Sequence, residues 1–347
     1  MLEMLNNKVG EWLRGGPDDD VVLSSRVRLA RNIAGYPFLS RATDQEIGRV
    51  EEILHDKITN VDLGCDLIYH RLDTMDAMVR ELLVERHLIG RDHADADWVR
   101  SVALCPDEKM SLMINEEDHL RTQTLNGGFR LQEAAERIIK ADELLAEHIP
   151  FSFSAQYGYL TVCPTNVGTG IRVSAMVHLP GLVMAREMEK VVQLAQDMRL
   201  DLRGLYGEGT HASANLYQVS NQVSLGLSEN EIVQQVKSAV EELIGLEREA
   251  RKNFLSQHRL ELSERIQKAL DLLKTVKMIS SEEALNFLSQ IRMGAELGLV
   301  DSVSPNQVNE LLLLTLPAHL QTMAGRRPDR TERNELRATY LKKQLMN

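Results

Sequence analysis

Between residues 21 and 225, short runs of alternating apolar and polar residues are interleaved with segments whose apolar residues recur every three or four positions; after Ser228 the alternating runs cease. A period of two belongs to half-buried strands and a period near 3.6 to amphipathic helices. The interleaving therefore predicts an α+β domain in which helices flank an antiparallel sheet. Residues 112–114 and 120–125 read as strands flanking the polar run 115–119, residues 151–162 as a hairpin turning at Tyr157-Gly158, and residues 171–179 and 216–225 as further strands. Helices are expected over 43–59, 74–87, 130–147 and 183–199.

Beyond Ser228 glycine thins out and Leu, Glu, Gln, Lys and Arg dominate in helical period. Ser280 with Glu283 forms a capping-box signature, and Ser304-Pro305 with Gln307 forms a second with proline at the first helical position. Pro317 should end or kink a helix over 311–316, and a charged helix should run over 331–345. The expected division is an N-terminal segment over 1–20, the α+β domain over 21–250 and a smaller all-helical domain over 251–347. The leucine-rich tail suits either a dimer interface or a packed subdomain.

Forty Lys and Arg against 51 Asp and Glu leave a net charge of −11, which argues against a body built to bind nucleic acid, since phosphate backbones require a positive face. No apolar run is long enough to cross a bilayer, and residues 1–16 lack the basic-then-apolar order of a secretory signal, so no membrane partner and a cytoplasmic location are expected. Cys65, Cys105 and Cys163 are odd in number without metal-like spacing. They read as free thiols in a reducing compartment, with neither a disulfide framework nor a protein-held metal. In so acidic a chain, a cluster of arginines reads as a local anion site rather than part of a basic field.

Four clusters carry candidate chemistry. In Val22-Leu23-Ser24-Ser25-Arg26-Val27-Arg28, two arginines alternate with apolar residues as along a strand and would share one face. Paired guanidiniums suit phosphate oxygens, although a solvated strand edge reads the same way. The run Asn115-Glu116-Glu117-Asp118-His119-Leu120-Arg121 is either a polar turn or a carboxylate site for a cationic substrate. Cys163-Pro164-Thr165-Asn166-Val167-Gly168-Thr169-Gly170-Ile171-Arg172 places small residues where backbone amides could approach phosphate, or simply makes a tight connection around a cysteine. Arg203-Gly204-Leu205-Tyr206-Gly207-Glu208-Gly209 has the composition of an active-site lid, and equally of an inert loop.

Together, in this order, the four clusters resemble the ATP:guanido phosphotransferase (phosphagen kinase) family over about residues 21–225. The resemblance implies ATP with Mg²⁺, bound mainly through the nucleotide, and a phosphate cage of Arg26, Arg28, Arg121, Arg172 and Arg203. Such a cage would stabilise the transferring phosphoryl group. It further implies nucleotide contacts from Ser24, Ser25, Val27, Val173, Ser174, Ala175, Met176, Gly204, Leu205, Tyr206, Gly207 and Glu208. His87 would sit on the adenine side, though a histidine at a helix C-terminus needs no ligand to explain it. Glu117 and Glu208 match the carboxylates that align the guanidinium and relieve it of a proton, and Cys163 matches the family's reactive cysteine, whose pKa nearby arginines would lower.

Only a short segment precedes Ser24, where the small-molecule kinases of the family carry a helical domain, and a long helical tail follows. This arrangement resembles the family's bacterial branch that phosphorylates arginine within proteins. It implies substrates with exposed arginine, a role in stress response and in marking proteins for degradation, and homodimerisation. The implied partners are a heat-shock repressor, a zinc-binding activator and a Clp unfoldase-protease. Arg333-Asn334-Glu335-Leu336-Arg337-Ala338 is similar to that branch's Arg-Asp-x-x-Arg-Ala phosphoarginine-sensing motif, with Asn334 in place of Asp. A kinase of free arginine or another small guanidino compound, and a non-catalytic adaptor acting through the tail, are the competing expectations.

Overall fold

The computed structural model describes residues 9–205 and 213–346. Its centre is an eight-stranded sheet in which every pairing is antiparallel. The strands are β1 (Val22–Arg31), β2 (Ile68–Arg71), β3 (Ser101–Leu104), β4 (Met110–Ile114), β5 (Leu120–Gly127), β8 (Ile171–His178), β9 (Leu200–Gly204) and β10 (Leu216–Asn221), in the order β2-β3-β4-β5-β1-β8-β10-β9. The expected hairpin is the separate pair β6 (Phe153–Ser154) and β7 (Gly158–Tyr159).

The expected helices appear as α1 (Asp44–Asn60), α2 (Ala77–Glu85) and α4 (Leu131–Ala146), with the short α3 (Arg91–Asp95) between. The expected helix over 183–199 is instead two, α5 (Pro180–Met184) and α6 (Met188–Asp197), because Arg186 between them turns left-handed with φ 59°. Helix α7 (Glu229–Thr275) begins at a reciprocal capping box of Ser228 with Glu231, crosses residue 250 unbroken and bends at His258. The tail continues as α8 (Ser281–Glu296), α9 (Pro305–Leu314), α10 (Pro317–Ala324) and α11 (Arg330–Met346). The Ser280/Glu283 capping box forms, Ser304 accepts from the Gln307 amide, and Pro317 starts a new helix after the break.

One sheet face packs Val27, Leu29, Val173, Ala175 and Val219 against α4, α5, α6 and the first half of α7. A second cluster joins Trp12, Leu125 and α2 to the helices after His258. Arg292, buried in α8, ties these helices to the segment just before β1 by donating to the carbonyls of Asp19 and Asp20, and to α9 by donating to Asn309 Oδ1. No helix among the described residues is long and apolar enough to cross a membrane.

The expectation of three free thiols is corrected. Cys65 and Cys105 form a disulfide with Cα atoms 5.8 Å apart, and Cys163 alone is free. The cause is a strand pairing that spacing does not reveal: Ile68 faces Leu104 across β2 and β3, so the residues just outside those ends meet.

Candidate active site

The register of the central strands collects the charged residues. Arg28 lies opposite both Gln123 and Arg172, Ala30 opposite Arg121, and Arg26 opposite Ser174. Gln218 lies opposite Met176 and Arg203, and Ser220 opposite Ser174 and Asp201. Directly paired residues share a sheet face, and so do residues two apart on one strand. Ser24, Arg26, Arg28, Arg121, Arg172, Ser174, Met176, Asp201, Arg203 and Gln218 therefore stand on the face opposite the helix-packed Val27, Val173 and Ala175. The side chains of these last three lie in the core, and Ser25 is a staple whose hydroxyl donates to Gly128 O and accepts from Arg130 N.

A cavity of about 210 Å³ on this face is lined by Arg28, Arg121, Arg172, Arg203, Glu117, Cys163, Thr165, Asn166 and Gln218, among others. Arg172 Nη2 and Arg203 Nη2 both donate to Asp201 Oδ2, at 2.9 and 3.0 Å, and Arg26 Nη2 donates to Gln218 Oε1 at 2.6 Å. Burial first, and then the neighbouring Arg26, Arg121 and Arg172, push the Arg28 guanidinium well below its ordinary pKa. The buried Nε atoms of Arg28 and Arg172 have no hydrogen-bond partner. Crowded guanidiniums with unspent donors are what a polyphosphate would satisfy, so the residues fit the nucleotide that the sequence implies.

The acidic run is the β4–β5 turn, closed by Asn115 N to His119 O, and it separates three carboxylates by role. Glu116 is buried against Arg121 at 2.7 Å. Asp118, fully buried, accepts from Asn32 Nδ2 and from Val162 N, fixing the turn to the segment that carries Cys163. Only Glu117 faces the cavity, its side chain 40% exposed and 2.8 Å from Arg121 Nη2. Cys163 Sγ lies 3.0 Å from Thr165 Oγ1 on the same wall.

A smaller cavity of about 70 Å³ shares Gln218 with the first, and is lined also by Arg26, Trp12, Ser24, His87, Leu125, Ser174, Met176 and Leu205. Burial, with Arg26 nearby, lowers the His87 pKa to about 3, so the ring is neutral. Trp12 meets that ring edge-on at 5.4 Å, and its indole Nε1 donates to Glu108, which pairs with buried Arg86. Trp12, Gln218 and Asp201 were not legible in the sequence; Asp201 stands two residues before Arg203, but Gln218 reaches the site only through the pairing of β10 with β8. Tyr206, Gly207 and Glu208 lie outside the described residues. Arg333 to Ala338 sit on α11, apart from both cavities. There Arg337 is buried, donating to Thr315 O, Ile279 O and Asn334 Oδ1.

Comparison with known proteins shows what the chain is similar to. The family described as ATP:guanido phosphotransferase, C-terminal catalytic domain, matches residues 49–250, and that described as Protein-arginine kinase McsB C-terminal domain matches residues 259–347. The chain is similar to the protein-arginine kinase of Halothermothrix orenii, 41% identical over 99% of this chain and 98% of that protein. It is similarly close to those of Symbiobacterium thermophilum and Bacillus cereus, at 39% and 37% over the same shares. Among solved structures it resembles lombricine kinase, with a TM-score of 0.60 and 27% identity over 70% of each chain. It also resembles the duplicated taurocyamine kinase of Schistosoma mansoni with bound transition state analog components, with a TM-score of 0.62 and 25% identity over 71% of this chain and 35% of that one.

Proposed function

The chain belongs to the ATP:guanido phosphotransferase family, and from that premise we propose that its arginine-lined cavity transfers the γ-phosphoryl group of ATP to arginine side chains in proteins. It is a protein-arginine kinase, as are the relatives that match it end to end. The observation that carries the chemistry is the meeting of Arg28, Arg121, Arg172 and Arg203 with Glu117 and Cys163 around one cavity.

The arginines hold the phosphates and lie where charge develops on the equatorial oxygens. Mg²⁺, carried in on the nucleotide, would supply further neutralisation of that charge. A guanidinium attacks poorly while protonated. Glu117, the one carboxylate of its turn directed into the cavity, orients the acceptor and draws off its proton, with Cys163 beside it and Glu208 as the second carboxylate. The base lies on the His87 and Trp12 side. Residues 21–250 perform the reaction, and residues 251–347 serve homodimerisation and phosphoarginine sensing, with half-exposed Arg333 rather than the internally bonded Arg337 as the cation presented to a ligand.

The test is incubation with γ-labelled ATP and either an arginine-rich protein or free arginine. Acid-labile label on the protein is expected, and label on free arginine alone would overturn the substrate assignment. Glu117→Gln should abolish transfer while ADP binds at least as tightly, because it removes the charge facing the acceptor, leaves every cage arginine in place and frees Arg121 from one carboxylate.

A further inference from the structure

Four apolar side chains stand exposed beside the acceptor wall: Phe153 at 62%, Tyr157 at 48%, Val223 at 46% and Leu225 at 51%. Among the described residues the other large apolar side chains this exposed all lie between residues 260 and 346, away from the sheet. A single exposed apolar residue needs no explanation, but a group of them does.

This group is built around the segment that carries Cys163. On one side the β6–β7 hairpin pairs with it, Tyr159 N donating to Gly168 O at 2.7 Å, and a Cβ on Gly158 would come within 2.5 Å of that carbonyl. On the other side Ser224 Oγ donates to Thr165 O and Val167 O, and a Cβ on Gly168 would lie 2.8 Å from Leu225 Cα. Cys163, Thr165 and Asn166, held between the two loops, form the cavity wall facing Glu117. The apolar side chains are thus a rim one loop's width from the acceptor position. A free guanidino compound ends at the cavity mouth. A polypeptide continues on both sides of its arginine, each extended residue advancing about 3.3–3.6 Å, so residues within three positions of the arginine reach the rim.

We propose that this rim is a docking surface for the protein substrate, which it engages through apolar side chains flanking the target arginine in an extended segment. The inference rests on the protein-arginine kinase reading and adds a sequence preference to it. The hairpin and the loop over 223–225 act as two walls, so an apolar residue on either side of the arginine finds a partner.

The experiment uses the full chain and two peptides of equal length and charge, one with leucine and one with serine flanking a central arginine. Burying one leucine-sized side chain lowers KM for the apolar-flanked peptide by about tenfold relative to the other. Val223→Ser with Leu225→Ser in one variant, and Phe153→Ser in another, should each reduce that ratio to within about threefold, while the ADP dissociation constant reports an intact nucleotide site. Equal KM values in the unmodified protein would overturn the proposal, as would a parallel loss on both peptides in the variants. So would sedimentation showing that the variants dissociate a dimer while the flank preference persists, since the patch would then cover a second copy. Absence of transfer to either peptide, with ADP still bound, would instead remove the kinase reading on which the proposal stands.

Discussion

Asp201 provides the sharpest test of the proposed phosphate cage. Its Oδ2 accepts from Arg172 and Arg203 together, so it occupies guanidinium donors that a phosphate would need. Asp201→Asn keeps the shape and removes the competing charge. The pair with Arg203 is exposed and contributes almost nothing, whereas the pair with half-buried Arg172 lies at the upper end of the surface range, about 1 kcal/mol. Relief of that competition, and of the repulsion between carboxylate and phosphate, should tighten ADP binding by about five- to tenfold. Calorimetric titration with ADP and with tripolyphosphate should give the same gain, because the base is not involved, and added salt should shrink it. Unchanged or weaker binding would refute the reasoning and show that Asp201 stays on the arginines in the complex, orienting them.

Trp12→Ala should weaken ADP binding by about tenfold, the loss expected for a large apolar wall, while leaving tripolyphosphate binding unchanged; calorimetry on both ligands checks this, and a parallel loss would make Trp12 a folding residue only. Acid should destabilise the chain through its buried histidines. His93 is buried in the folded protein with its pKa lowered to about 3 by burial, and His178 is lowered by burial with Arg292 and Arg251 nearby, so both stay neutral while the unfolded chain takes up protons below about 6.5. Their contribution is complete above that value and is lost as pH falls toward the folded values, costing about 1.4 kcal/mol per histidine at pH 5.5. Urea midpoints at pH 7.5 and 5.5 measure the loss, and His93→Gln should reduce the difference between them.

The parts of the site legible in the sequence were those whose geometry is set by one strand. Arg26 and Arg28 share a face because they are two residues apart on β1, and the turn carrying Glu117 was delimited by its own flanking strands. What remained hidden depends on which strands become neighbours. Asp201 and Gln218 join the cage only because β9 and β10 stack beside β8, and Cys65 meets Cys105 only because β2 pairs with β3. Strand β3 was missed for another reason: Ser101 to Leu104 is buried on both faces, so it lacks the alternation that marks a strand. Trp12 lay in a segment whose pattern is neither strand nor helix, and nothing local announces that Gly10 lets it approach Glu108, where any Cβ would overlap the carboxylate.

The contacts behind Trp12 join the two matched regions. Glu85, at the end of α2, accepts from the amides of Ala318 and His319 at the start of α10, capping that helix from across the interface. Its Oε2 also lies 2.8 Å from His319 Nδ1, which places that ring's proton on Nδ1 and leaves Nε2 to accept from Arg86 at 3.5 Å. Burial holds the ring below its ordinary pKa, in keeping with this neutral tautomer. Arg86 in turn pairs with Glu108, which holds the Trp12 indole against His87. Each buried polar group in this series is satisfied by the next, and removing either partner of the buried Arg86–Glu108 pair would strand an uncompensated charge at a cost of about 3–5 kcal/mol. The wall that Trp12 and His87 form therefore stands on α10, and the helical tail underpins the proposed base pocket.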